Sequence, residues 1–395
     1  MLYFGVFYYK NKKRGLDMNY IKKIREFVSL KSEDAFYIGF ILFFFSYWIS
    51  QASESYPKYP VLVVAFCFFV YKNIKTSYTK KEIIVASLMV FMGVCTWIST
   101  ENMSVFWCAM IITSMKNVSI KKVLKIMLYI SMTITAVVMI LALCGISGEV
   151  YKEYFGRVDT SEIRFHLGAK HPNSLHFRYM FAISLLFALL FERLKAYHFV
   201  ILFGVNVILG KMTLSRTGFL CCTVIIILMA GCKYIPKVFE SKWSFALINF
   251  ACLCFIVVSL VGVIKYSENS EIWNSINKLA SGRLQLGNQC FAMYGLTLFG
   301  SKVDEVIIFD MGIPRVLIEN GVIVFTAMYV GMFATMVYFF KKKQYKYIII
   351  MAVFILYSMS EKMNMYAYYN VQIVIMGFAM WQMFAGDKEN KIIEL

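Results

Sequence analysis

Long apolar runs, separated by connections whose lysines come and go in alternation, constrain this chain more than any other feature. The runs cover 34–50, 60–72, 82–98, 103–115, 123–146, 174–191, 197–210, 217–232, 243–264, 316–340, 346–359 and 365–384. A hydrocarbon core about 30 Å thick takes roughly 20 apolar helical residues to cross. Backbone polar groups have no partner in lipid, so only helices and closed barrels span it. These runs are unbroken rather than alternating, which reads as helix and not as barrel strand. Charged residues are only 16% of the 395, against 60% hydrophobic. That is too little polar surface to cover a water-soluble core of this size. The expected fold is all-α, a polytopic integral membrane protein with about 12 transmembrane helices. It forms a single transmembrane domain over 1–395 with two long outward-facing loops. The runs 60–72, 103–115 and 346–359 are the shortest for a crossing.

Lysine and arginine set the orientation. One series of connections holds Lys72, Lys75, Lys80 and Lys81, then Lys116, Lys121, Lys122 and Lys125. It continues with Lys233, Lys237 and Lys242, and with Lys341, Lys342, Lys343 and Lys346. Between them fall a connection with Lys58 alone and one around Glu101 with none. Positive charge stays on the cytoplasmic side, which puts both termini in the cytoplasm. The net charge of +18 would point to nucleic acid in a soluble protein. Here the turns account for most of it, anionic lipid or substrate for the rest, and no nucleic acid is expected.

Residues 1–33 form a basic cytoplasmic segment. Residues 1–17 lack a small-residue cleavage site, so no removable signal peptide is expected, and Met18 is an alternative start. Ile21, Ile24 and Val28 recur at helical spacing among lysines, which fits an interfacial helix or a disordered basic tail. Most of the 10 cysteines lie inside apolar runs, where they act as small hydrophobes. Cys252 and Cys254 sit mid-span with no histidine nearby, so no metal site, cofactor or disulfide framework is expected.

Two outward connections are long, 147–172 and 265–314, and loops of that length are usually functional or disordered. The first carries Arg164, Leu167-Gly168 and His171-Pro172-Asn173 straight into a span. With Pro172 in the first helical turn, His171, Leu175 and Arg178 share a face. An arginine at that depth is costly and faces a polar cavity more often than lipid, although it can also snorkel to the interface. A further outward turn reads Leu214-Ser215-Arg216 at the mouth of a span. The second long loop carries Ser281-Gly282-Arg283, Leu298-Phe299-Gly300 and Asp310, then Arg315 and Glu319-Asn320-Gly321. Arg315 and Glu319 also fit a plain i, i+4 ion pair. The last outward turn adds Glu361 and Lys362. Guanidinium groups fork onto phosphate oxygens, and a histidine or carboxylate takes a proton from an attacking hydroxyl.

These motifs, in this order and on one side, resemble the Wzy-type bacterial polysaccharide polymerases, which are related to O-antigen ligases. The resemblance covers about 150–325 by motif and the whole chain by span pattern. It departs from the family at Asp310, which Met311-Gly312 follow where the family often has Asn or His-Asn. The resemblance implies a metal-independent glycosyl transfer at the outer face of the bacterial plasma membrane. A growing capsular or O-antigen chain on undecaprenyl pyrophosphate would move onto the terminal sugar of a new lipid-linked repeat unit, through an oxocarbenium-like transition state. Arg164, Arg178, Arg216 and Arg283 would bind the donor pyrophosphate. His171 is the first choice for the base and Asp310 the second, with Asn173, Ser215, Glu319 and Glu361 in support. The implied partners are the lipid-linked donor and acceptor, membrane lipid, a flippase and a chain-length regulator. The rivals are a ligase, which shares the donor site, a flippase or other transporter, and a metal-dependent transferase. The last needs acidic residues in the first outward loop, around 51–59, where only Glu54 stands.

Overall fold

The computed structural model describes residues 30–50, 57–155, 161–304, 309–362 and 366–386. The N-terminal helix or tail expected over 18–31 and Glu54 of the first outward loop lie largely or wholly outside them. A helix covers each apolar run: α1 Ser32–Ser50, α2 Lys58–Lys75, α3 Lys80–Thr100, α4 Ser104–Ser114, α5 Ile120–Leu143 and α6 Pro172–Leu190. After these come α7 Ala196–Thr213, α8 Arg216–Tyr234, the short α9 Pro236–Glu240, and α10 Lys242–Lys265. The loop helices α11 Glu271–Leu279 and α12 Arg283–Tyr294 precede α13 Gly312–Lys341, α14 Tyr345–Tyr357 and α15 Val371–Ala385. Among the described residues, 7 helices are long and apolar enough to cross a membrane, namely α3, α5, α6, α7, α8, α10 and α13. The protein is an α-helical membrane protein. The apolar helices α4, α14 and α15 have 11, 13 and 15 residues. At about 1.5 Å per residue they are shorter than the hydrocarbon core.

Local chemistry sets the helix ends. Thr79 and Glu82 form a reciprocal capping box at the start of α3, which satisfies two otherwise unpaired N–H groups. Ser119 caps α5, and His171 caps α6 with Pro172 in its first turn. The lysine-bearing turns meet one another. Lys72 donates to the Lys116 carbonyl at 2.9 Å, and Lys116 pairs with Glu82 at 2.6 Å. Lys122 lies 3.7 Å from Glu33, and Lys233 donates to the Phe191 carbonyl. The motif-bearing loops follow the opposite helix ends.

Both long loops are folded. The first holds a two-stranded antiparallel hairpin, β1 Tyr151–Phe155 and β2 Ser161–Phe165, with Lys152 opposite Arg164. Strands were not expected from the sequence, and an all-α description omits them. In the second, α12 packs through Leu284 and Cys290 on Val263 of α10 and Ile318 of α13, with Phe309 and Met311 filling the same small core.

Helix α13 is broken at Gly321, whose backbone (φ 83°, ψ 169°) is non-helical. The loop stretch 297–301 inserts there. Val322 and Ile323 donate to the Thr297 and Leu298 carbonyls, and Ser301 donates to the Ile318 carbonyl at 3.1 Å. On the other side, Ser99 of α3 donates to the Gly300 carbonyl at 2.6 Å. Opened backbone at membrane depth survives only where protein satisfies it, and these bonds do so. The break ties Leu298-Phe299-Gly300 to Glu319-Asn320-Gly321, two motifs that sequence order alone left apart.

Candidate functional site

The hairpin, the cap of α6, the start of α12 and the turn before α15 converge on one buried carboxylate. Glu361 is 6% exposed. Its Oε1 accepts from Arg283 Nη2 and from Asn173 Nδ2, each at 3.0 Å. Asn173 in turn accepts through Oδ1 from Arg164 Nη2 at 3.0 Å. Arg164 Nε donates to the Thr213 carbonyl at 2.8 Å, and its guanidinium lies 5.3 Å from the centre of the Tyr154 ring. The chain Arg164–Asn173–Glu361–Arg283 therefore crosses β2, the start of α6, the turn before α15 and the start of α12. Burial lifts the Glu361 carboxyl above its usual range, Arg283 opposes this, and the charge of Asp310 adds to it.

His171 stands over this network. Its Nδ1 accepts from the Asn173 backbone N–H at 3.1 Å, so the neutral ring carries its hydrogen on Nε2. Burial first, then Arg164 and His166, pushes the imidazole down to about 4, against the opposing pull of Asp310. The ring is neutral at pH 7. Tyr154 holds its surroundings, edge-on to His171 and stacked on His166. The His166 Nδ1 faces the Ala169 carbonyl at 3.1 Å, which only accepts. The His166 Nε2 therefore accepts from the Tyr154 hydroxyl at 2.9 Å.

Asp310 lies at the edge of the same cluster. Its carboxylate is about one-third exposed and 4.0 Å from Lys362. Glu319 pairs with Arg315 one turn away, the plain helical pair that the spacing fits. Arg315 also donates to the Phe309 carbonyl, which pins the chain just before Asp310.

The other two arginines stand apart. Arg178 is buried two turns along α6, over the Trp48 ring at 5.3 Å and bonded to Tyr369. It is enclosed by protein rather than snorkelling, and its Nε has no partner. Arg216 and Ser215 line a separate cavity of about 400 Å³ with Lys211 and Glu162. The sequence reading missed Tyr154 and Thr213. Neither carries a spacing signal, because both act through contacts that the fold creates. It also left His176 without a role. That side chain joins α6 to α7, with Nδ1 3.1 Å from the Thr213 hydroxyl and Nε2 2.9 Å from Asn206. Among the described residues no group of three or more His, Cys, Asp or Glu side chains is arranged to hold a metal ion.

Comparison with family models, with curated proteins and with solved structures finds no match to this chain.

Proposed function

We propose that the chain is a membrane-embedded glycosyltransferase that polymerises undecaprenyl-pyrophosphate-linked repeat units into capsular or O-antigen polysaccharide. One observation carries the reading. Arg164, Asn173, His171, Arg283, Glu361 and Asp310, dispersed through the sequence, converge on one cluster at the mouth of the bundle. In this reading the chain crosses the bacterial plasma membrane about 12 times, with both termini cytoplasmic and the cluster outside.

The acceptor sugar's hydroxyl oxygen attacks the anomeric carbon of the donor chain. The bond from that carbon to the pyrophosphate oxygen breaks, and the lipid pyrophosphate leaves with the electron pair. Arg283 and Arg164 offset the charge that develops on it, as fixed cations in a low-dielectric site do. The hydrogen on His171 Nε2 suits a donor to a phosphate oxygen while Nδ1 remains the helix cap. Asp310, partly exposed and beside His171, then takes the proton from the acceptor hydroxyl. This reverses the order of preference that the sequence gives for the base, since an imidazole with Nδ1 already engaged has no open lone pair.

Deleting the gene in the native bacterium tests the reading. Single repeat units should accumulate on the lipid carrier while long polymer disappears. Restoration by wild type but not by Asp310→Asn is expected, and polymer of normal length in the deletion strain would overturn the assignment.

A further inference from the structure

The four arginines expected at a single donor pyrophosphate divide between three places, Arg178 being enclosed on its own beside Trp48. Arg164 and Arg283 belong to the Glu361 network, whereas Arg216 opens α8 beside its own cavity. Helix α7 ends on Leu214, which has left-handed backbone (φ 50°). That turn brings Lys211, Ser215 and Arg216 to one rim. A serine in this position usually caps the helix with its hydroxyl. Ser215 makes no such bond. It is 4% exposed, and its Oγ has no partner. The first N–H groups of a 19-residue helix, two cations and an unpartnered hydroxyl suit an anion with several oxygens. Glu162 also lines the cavity and sets one opposing charge.

The rest of the lining is apolar, with Val207, Gly210, Leu214 and Phe219. Beside it, Ile208 and Leu220 are 59% and 53% exposed on the outer faces of α7 and α8. A polar rim over an apolar wall facing lipid fits the phosphate of an amphiphile, not a free anion.

We propose that Lys211, Ser215, Arg216 and the N-terminus of α8 hold the phosphate of a second isoprenyl-linked substrate, separate from the one served by Arg164 and Arg283. The inference rests on the polymerase reading, in which donor and acceptor both arrive on lipid phosphates and must be present together. Thr213 joins the two sites. Its carbonyl accepts from Arg164, and its hydroxyl accepts from the Ser215 N–H at 3.3 Å.

Binding stoichiometry tests this. The full chain in phosphatidylcholine nanodiscs is titrated with undecaprenyl pyrophosphate and read by native mass spectrometry. Two molecules per protein are expected. Lys211→Gln with Arg216→Gln should weaken one of them by about tenfold or more and leave the other, while Arg283→Gln should do the reverse. The binding that survives in each variant reports an intact fold. One molecule in the wild type, lost equally in both variants, would overturn the inference and leave the polymerase reading standing. No binding by the wild type would overturn both. Inorganic pyrophosphate binding as tightly as the lipid would make the cavity a free-anion site, and displacement by equimolar phosphatidylglycerol would make it a general anionic-lipid surface. Either result would overturn the proposal.

Discussion

Arg283 and Glu361 are 78 residues apart in sequence and meet at 3.0 Å in a buried pair that also holds Asn173. Breaking a buried pair from one side costs about 3–5 kcal/mol, because the remaining charge is left uncompensated. Arg283→Gln should therefore lower the thermal unfolding midpoint in detergent strongly. Adding Glu361→Gln should recover much of that loss. A double variant no more stable than Arg283→Gln would show that Glu361 does not depend on its partner.

His171 and Glu361 push stability in opposite directions with pH. The imidazole is depressed to about 4, so its contribution is full above its ordinary value of about 6.5 and is lost as pH falls toward about 4. The Glu361 carboxyl is raised, so its contribution is full below its ordinary range and is lost as pH rises through the raised value. His171→Asn keeps a cap residue but removes the titration. The stability of this variant should fall less than that of the wild type between about pH 6.5 and pH 4, the remaining fall coming from His166, which burial also depresses. Turnover separates the roles. A His171→Asn enzyme at wild-type rate would make the residue a cap alone, and loss of turnover with donor binding retained would show that Nε2 acts on substrate.

Gly300 and Gly321 are where the two outward motifs touch backbone to backbone. A Cβ on Gly300 would lie 1.9 Å from the Glu319 carbonyl oxygen, and one on Gly321 would lie 2.3 Å from that of Leu298. Both residues also have positive φ, 90° and 83°, and with ψ 169° Gly321 occupies a region that is essentially glycine-only. Backbone cannot move aside as a side-chain tip can. Alanine at either position should cost at least about 3 kcal/mol and abolish folded protein in membranes. By contrast, Gly204 has open space around its Cβ, and Gly204→Ala should be recovered at the wild-type level. Normal yields of Gly321→Ala would mean that the break in α13 is not required.

The helical framework was legible because lipid enforces it: each continuous apolar run became a helix within a few residues. Helix length alone does not settle the crossing count, since α4, α14 and α15 are short and largely buried against neighbouring protein. The hairpin escaped notice because Tyr151–Phe155 is too short to establish a period of two against a loop. At the site, Arg164, Asn173, Arg283 and Glu361 could be named from residue type and side of the membrane. Their connection through one carboxylate could not, since it depends on the fold bringing β2, α6, α12 and the turn before α15 together. Arg216 was grouped with the others because guanidinium chemistry is the same in either place. Only the left-handed turn at Leu214 assigns it to a different cavity.

Orientation is the last test, because the reading needs the cluster outside the cell. The lysine-bearing turns and the motif loops lie at opposite helix ends, and positive charge favours the cytoplasm. Single cysteines in a cysteine-free background report this directly. Lys152, on the exposed strand β1, and Met293, 67% exposed on α12, should react with a membrane-impermeant maleimide in intact cells. Cysteines at Lys121 and Lys343 should react only after permeabilisation. The opposite pattern would place Glu361, Arg283 and His171 in the cytoplasm, on the wrong side for the outer-face transfer proposed. The polymerase reading would then fall even if every contact at the site were correct.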